Sequence, residues 1–138
     1  MTTAAHPARR SWPVTVRDVV LLAAAGAGAW WAWLGWDHTY YTDPATGYAA
    51  GPYRPWQVVG CVLTLLAVAA IAYVRLRPLV VGVVVTIAFT VAFASSAMPG
   101  DDTGLAGVGV VMVLVGTALA ATVLGSVATA VRTALARR

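Results

Sequence analysis

Charged residues are few in this chain, and three polar residue types are missing. Lys, Glu and Asn do not occur, so that every basic residue is Arg and every acidic residue is Asp. A single Cys excludes an internal disulfide and a Cys-x-x-Cys pair, and two His cannot build a multi-histidine metal site. These absences exclude structural zinc, dithiol redox chemistry and most acid–base catalysis. The sequence therefore predicts a non-enzymatic protein with no metal and no cofactor.

Long apolar runs take up most of the chain. Apolar residues fill 60% of the 138 positions, and charged residues fill only 10%. Four uncharged runs are each near or above the ~18–20 residues that a helix rising ~1.5 Å per residue needs to cross a ~30 Å hydrocarbon core. They cover residues 19–36, 56–74, 79–98 and 104–131. These runs predict an all-α integral membrane protein, with a single membrane domain built as a four-transmembrane-helix bundle.

The arginines predict how that bundle is oriented. Eight of the nine lie in the tails (residues 1–18 and 132–138) or in the short turn between the second and third runs, and only Arg54 lies on the other side. Because positive residues in short flanking segments stay in the cytoplasm, both termini are predicted to be cytoplasmic. The use of Arg in place of Lys, with much Ala, Val and Gly, favours a bacterial inner membrane, whose anionic inner leaflet attracts a basic face. No nucleic-acid-binding motif is present.

A cleaved signal peptide is the alternative for the first run. Ala25, Gly26 and Ala27 form the small-x-small pattern of a cleavage site, and Arg9 with Arg10 resembles a twin-arginine signal. The apolar run continues beyond that site, however, and cleavage would leave an odd number of spans. The pattern therefore favours a first transmembrane helix.

The segment between the first two runs, residues 37–55, has the composition of a soluble loop. Residues 39–42 are β-branched and aromatic as in a strand, residues 43–47 place Pro and Gly where a turn needs them, and residues 48–50 can return. The sequence predicts a short extracytoplasmic β-hairpin here. A lone hairpin is only marginally stable in water, so the loop is expected to lie on the end of the bundle or on a partner.

Tyr and Trp crowd around this loop, whereas the cytoplasmic end has only Trp12 and Tyr73. An interfacial aromatic belt explains such a position. A recognition surface also explains the one-sided crowding, because Tyr and Trp bring a large contact area at low entropic cost. We therefore expect an accessory or scaffold protein that binds a protein or lipid-like partner at this surface. An outer-face hydrolase is a minor alternative, since no nucleophile or metal set accompanies the Asp and His residues. The candidate site comprises Trp30, Trp33, Trp36, Asp37, His38, Tyr40, Tyr41, Asp43, Tyr48, Tyr53 and Trp56.

The third run carries hydroxyl and phenylalanine side chains at helical spacing, which suggests a second function. A track of this kind is similar to that of small four-helix fluoride channels, although the asparagine of those channels is missing from this chain. No Asp, Glu, Lys, Arg or His lies within the four runs, which disfavours proton-coupled transport. The alternative function is a small homo-oligomeric channel or uncoupled transporter. Its pore-lining residues would be Thr86, Phe89, Thr90, Phe93 and Ser95.

Small residues recur at every fourth position and predict close approach of the helices. Packing within the chain is the expected use of these stripes, and a homo-oligomer interface is the alternative. The stripes are Ala24, Gly28 and Ala32 in the first run, Gly82, Thr86, Thr90 and Ala94 in the third, and Ala118, Thr122, Ser126 with Ala121, Gly125, Thr129 in the fourth.

Overall fold

A computed structural model describes residues 16–137, which form four helices and one small hairpin. In chain order these are α1 (Val16–Trp33), β1 (Tyr41–Thr42), β2 (Ala49–Ala50), α2 (Pro55–Arg75), α3 (Pro78–Ala97) and α4 (Leu105–Ala136), with a 3-10 turn at Met98–Gly100 before α4. The predicted helical fold with a hairpin between the first two helices is confirmed. The predictions for the N-terminal tail, including the cytoplasmic position of Arg9 and Arg10, and for Arg138 lie outside the described residues.

Three of the four helices are long and apolar enough to cross a membrane. These are α2, α3 with the turn that follows it, and α4. Within residues 16–137, α1 does not qualify as a candidate span, because its 18 residues include Arg17 and Asp18 and it ends at Trp33. The chain is thus compatible with a multi-pass membrane protein, since three helices have the length and the apolar composition that a membrane span needs.

The end of α1 nearest the hairpin is closed by a tight turn, three residues before the uncharged run ends. The N–H groups of Leu34 and Gly35 both donate to the carbonyl of Trp30, at 2.8 and 2.9 Å. Gly35 suits this turn because a Cβ there would lie only 2.5 Å from the ring of Trp31. Hydropathy does not reveal such a turn, and this is why the uncharged run and the helix have different ends.

Proline begins both α2 and α3. Pro55 and Pro78 stand in the first helical turn, where the missing N–H has no intrahelical partner to lose and the fixed φ suits the helix. Each helix therefore starts one residue before the predicted run. At the other end of the chain, α4 continues past the predicted end of its run to Ala136 and includes Arg132.

Packing is centred on α3, which lies against α1 on one side and α4 on the other, while α1 also packs against α2. Two clusters of buried side chains hold these helices together. Near the α2–α3 turn, the cluster consists of Leu22, Ala69, Ala72, Tyr73, Leu76 and Val81. Near the hairpin, it consists of Ala29, Trp30, Leu34, Cys61, Phe89 and Ala92.

Small residues bring α4 close to α3. A Cβ at Gly125 would lie 3.4 Å from the Cβ of Pro78, and a Cβ at Gly82 would lie 3.4 Å from the Cβ of Ala121. The predicted stripe through Ala121 and Gly125 is therefore a packing face. Elsewhere α4 is largely uncovered, because Gly125 is its single buried residue in the described part of the chain.

The small residues of α1 meet α3 through a different face from the predicted one. Ala24, Gly28 and Ala32 are exposed. Gly26 is buried instead, and a Cβ placed on it would lie 3.6 Å from the Cβ of Ala88. The buried face of α1 consists of Leu22, Gly26, Ala29 and Trp30, and the stripe at four-residue spacing lies on another face.

Candidate functional site

Trp30 lies in the core beneath the hairpin and not on the surface. Its side chain is 2% exposed, and the indole N–H donates a hydrogen bond of 3.0 Å to the hydroxyl of Ser96 on α3. The ring meets Phe93, Tyr53 and Phe89 edge-on, with centroid separations of 5.0, 5.6 and 5.7 Å. Trp30 therefore joins α1, α3 and the end of the loop, and it also lines an inner cavity of the bundle.

Trp33 joins α1 to α2. Its indole N–H donates to the hydroxyl of Thr64 at 2.9 Å, and its ring stands edge-on to Trp56 with centroids 6.3 Å apart. The ring lies directly over Gly60, where an added Cβ would come within 2.5 Å of a ring carbon. A glycine is thus required beneath this tryptophan.

Gln57 fastens both ends of the loop to the start of α2. The side chain is fully buried, and its Oε1 accepts a hydrogen bond of 2.7 Å from the N–H of Arg54, the residue that precedes the helix. Its Nε2 donates to Asp37 Oδ2 at 3.5 Å. The sequence-based prediction did not include Gln57. The available signal was a glutamine at the third helical position after the cap, the position from which Gln reaches back to the capping N–H.

The hairpin between Asp37 and Arg54, the two residues that Gln57 contacts, is short and is closed by a turn centred on Asp43. Tyr41 pairs with Ala50 and Thr42 with Ala49. The carboxylate of Asp43 accepts hydrogen bonds from the Ala45 N–H at 2.9 Å and from the Thr46 hydroxyl at 3.2 Å, as Asp commonly does in turns. Gly47 has φ +72°, a left-handed conformation that favours glycine.

The candidate residues thus separate into two layers. The inner layer consists of Trp30, Trp33, Tyr53 and Gln57, which are buried or partly buried. Tyr41 lies between the layers, and the guanidinium of Arg54 lies 5.3 Å from the centre of its ring. The aromatic face, exposed by more than half of each side chain, consists of Trp36, Tyr40, Tyr48 and Trp56.

Hydrogen bonds hold two carboxylates at this end of the bundle in their charged form. The N–H of Thr39, at 3.1 Å, lowers the pKa of Asp37 below its usual range, with smaller contributions from Gln57 and Arg54. The hydroxyl of Thr103, at 2.7 Å, and the N–H of Ala106, at 2.8 Å, lower the pKa of Asp101. Such hydrogen bonds to a carboxylate favour its ionised state.

The acid–base arrangement considered from the sequence is not assembled. Asp37 accepts hydrogen bonds from Thr39 and Gln57, and Asp43 accepts them from Ala45 and Thr46. Within residues 16–137 the imidazole of His38 makes no hydrogen bond to either carboxylate. The same part of the chain contains no group of three His, Cys, Asp or Glu side chains that could hold a metal ion.

The predicted pore-lining residues do not share one cavity. Phe89 and Phe93 line an inner cavity of about 420 Å³ next to Trp30, and Thr86 lines a separate groove of about 760 Å³ between α3 and α4. Thr90 is buried, and its hydroxyl has no partner among the described residues. The fifth, Ser95, is exposed and donates to the carbonyl of Ala92. The two phenylalanines and Thr86 therefore line different cavities, although Gly82 and Ala121 form part of the lining of both.

Comparisons with protein-family models, with curated proteins and with solved structures find no match for this chain. The function therefore has to be inferred from the geometry of its own side chains.

Proposed function

We propose that this chain crosses a bacterial inner membrane four times, with both termini in the cytoplasm. We further propose that it is a non-catalytic accessory protein whose aromatic face binds a protein partner on the outer side.

Packing supports the fourth span. α1 contributes Leu22 to one buried cluster and Ala29 to the other, so it lies beside α2 and α3 along most of its length. Insertion of α2 and α3 would carry α1 into the same layer. Its 18 residues extend ~27 Å at ~1.5 Å per residue, close to the ~30 Å of a hydrocarbon core. Its charged pair, Arg17 and Asp18, is separated by 3.9 Å and lies in the first turn, at the membrane boundary.

The distribution of charge supports the orientation. Arg17, Arg75, Arg77, Arg132 and Arg137 lie at one end of the four helices, at the beginning of α1, the α2–α3 turn and the end of α4. Of the arginines in residues 16–137, Arg54 is the one at the hairpin end. Positive residues in short flanking segments favour the cytoplasmic side.

The observation that carries the proposed binding role is the contrast between the two layers at the hairpin end. Tyr40 and Tyr48 are 73% and 79% exposed, although the loop that bears them is fastened at both ends through the buried Gln57. Exposed aromatic side chains on an ordered backbone bind at a low entropic cost, and Tyr and Trp dominate binding hot spots. Anchoring at the membrane interface would explain the aromatic side chains, but it does not require the loop that bears them to be held in one conformation.

The charge at this end indicates the chemistry of the partner. This end carries one arginine, Arg54, among residues 16–137, and four acidic residues: Asp37, Asp43, Asp101 and Asp102. A surface with exposed aromatic side chains and more Asp than Arg suits a protein with a basic rim, because complementary charges steer association and select partners.

Photo-cross-linking in the membrane tests this role. A photoreactive residue at position 40 of the full-length chain should form an adduct with one protein. We expect Tyr48→Ala to lower the adduct yield by about tenfold or more, because truncation of a hot-spot residue costs ~2 kcal/mol or more. Tyr48→Phe keeps the ring and should retain the adduct. Leu105→Ala removes a similarly exposed apolar side chain outside the loop and serves as the control. Equal yields in Tyr48→Ala and wild type would contradict the proposal.

One observation keeps a channel as the second candidate function. The buried hydroxyl of Thr90 has no partner in the described residues, and Thr86, 6% exposed, lines the groove beside it without a hydrogen bond of its side chain. In a homo-oligomer, such grooves from several copies could surround one path. Flux into liposomes that is lost in Thr86→Val would support this function. An absence of flux for small ions and neutral solutes would exclude it.

A further inference from the structure

A narrow crevice separates α2 from α4 in the half of the bundle near the α2–α3 turn. The two helices are joined there by Tyr73, whose hydroxyl donates to the carbonyl of Ala121 at 3.1 Å. Beside Tyr73 the crevice has a volume of about 320 Å³. Its walls are apolar except at the end near the α4 terminus, where the side chain of Arg132 forms part of the lining.

The crevice adjoins the inner cavity of about 420 Å³. Leu66, Ala69, Tyr73 and Leu124 line both spaces, so Tyr73 stands between them. The inner cavity is apolar over almost its whole surface and lies within the size range of small-ligand sites. Together the two spaces offer an apolar path that leads from Arg132 into the bundle.

Arg132 is the charged residue of this path, and it has no acidic partner within residues 16–137. A comparable crevice between α1 and α2, of about 270 Å³, is lined by Arg75 but also by Asp18. That lining therefore includes a carboxylate, although Asp18 lies 3.9 Å from Arg17. Of these two crevices, the α2–α4 crevice is the one whose lining contains an arginine and no acidic residue.

The dimensions of the crevice match one leaflet of a bilayer. On α2 it extends from Leu66 to Val74, nine residues with a rise of ~12 Å, against ~15 Å for half of a ~30 Å hydrocarbon core. α4 has 32 residues and extends ~48 Å, so its last turns reach beyond the core. Arg132, five residues before Arg137, then lies at headgroup depth.

We infer that the α2–α4 crevice binds an anionic phospholipid of the cytoplasmic leaflet, with one acyl chain in the slot and the headgroup phosphate on the guanidinium of Arg132. A guanidinium suits a phosphate because its paired N–H groups match two phosphate oxygens. Basic sites between transmembrane helices on the cytoplasmic side are a recognised place for anionic headgroups. The inference rests on the proposed membrane insertion and orientation.

Native mass spectrometry of the purified full-length protein tests the headgroup contact, with phosphatidylglycerol and phosphatidylcholine of identical chains offered together. Wild type should retain phosphatidylglycerol about tenfold better, as one charge-assisted contact predicts. Arg132→Gln should bring the ratio close to one. Arg137→Gln removes the same charge one and a half turns further on, outside the crevice, and should leave the ratio unchanged.

A second pair of variants tests the slot. Ala70 is exposed and lines the crevice, whereas Ala67 is exposed on the same helix outside it, so neither change disturbs a buried cluster. Ala70→Phe should reduce retention of both lipids severalfold, and Ala67→Phe should not. A wild-type ratio near one, an unchanged ratio in Arg132→Gln, or equal loss in Arg137→Gln would overturn the inference, the last indicating a nonspecific basic tail.

Failure of this site can be told apart from failure of the proposed function. If alkaline extraction releases the chain from membranes, the proposed insertion is wrong and the lipid site is lost with it. If the chain stays in the membrane and shows no preference between the two lipids, only the lipid site is wrong. The crevice variants leave the hairpin intact, so the partner adduct at position 40 should form in all of them.

Discussion

The indole N–H of Trp30 and the hydroxyl of Ser96 form a hydrogen bond of 3.0 Å that joins α1 to α3 directly under the hairpin. The Ser96 hydroxyl in turn donates to the carbonyl of Phe93 at 2.9 Å, so both of its hydrogen-bonding roles are filled. With the three aromatic rings around Trp30, this contact ties α1, α3 and the end of the loop together at the hairpin end of the bundle. The aromatic face stands on this support.

Trp30 and its neighbour Trp31 should respond very differently to truncation. Trp30→Ala removes a buried ring and the contact with Ser96, and we expect a loss of about 3–5 kcal/mol, the usual cost of such a cavity. Trp31 is 48% exposed, so Trp31→Ala should cost much less. Thermal unfolding in one detergent, followed by far-UV circular dichroism, measures both. Similar losses in the two variants would show that Trp30 is not a structural centre.

Gly60 should tolerate no side chain. In Gly60→Ala the new Cβ would lie 2.5 Å from the ring of Trp33, so that the ring must move and give up its bond to Thr64. We expect a loss of about 1–3 kcal/mol. Gly28 has open space around it, and Gly28→Ala should stabilise α1 by up to ~1 kcal/mol because alanine is the better helix former. The same unfolding assay should therefore give opposite signs for these two substitutions.

The loop between α1 and α2 should become more mobile when the side-chain amide of Gln57 is removed. Gln57→Met keeps the length of the side chain but removes the acceptor of the Arg54 N–H, a partly buried hydrogen bond, at a cost of about 0.5–1.5 kcal/mol. The expected result is faster hydrogen exchange and faster proteolysis between the hairpin and α2, with the helices still protected. Unchanged exchange in this segment would mean that the loop is held by other contacts.

Acid should weaken the start of α4 through Asp101. Its pKa in the folded protein is lowered by the hydroxyl of Thr103 and the N–H of Ala106, so the carboxylate contributes stability above its ordinary pKa of 3.8. That contribution decreases as the pH falls below 3.8 and is lost as the pH passes the lowered value. Asp101→Asn should therefore show a flatter dependence of the unfolding temperature on pH than wild type between pH 5 and pH 3. Parallel curves would contradict this role.

Composition and periodicity predicted the helical class, the four helices to within a few residues and the hairpin, because apolar runs and turn residues are local signals. They did not predict that α1 ends at Trp33, since that end depends on two N–H groups converging on Trp30. They also placed Trp30 on a binding surface, whereas its burial depends on side chains of α3 that lie about 60 residues away in the chain. The position of Gln57 indicates its local contact with Arg54, whereas its contact with Asp37, 20 residues away, forms only when the loop folds.

Native mass spectrometry of the full-length protein, extracted mildly from its own membranes, tests the central claim most directly. We expect a second polypeptide at fixed stoichiometry, retained in Tyr48→Phe and lost in Tyr48→Ala while the helical content of that variant is unchanged. A spectrum of this chain alone, as a monomer or homo-oligomer with no second polypeptide, would contradict the accessory role.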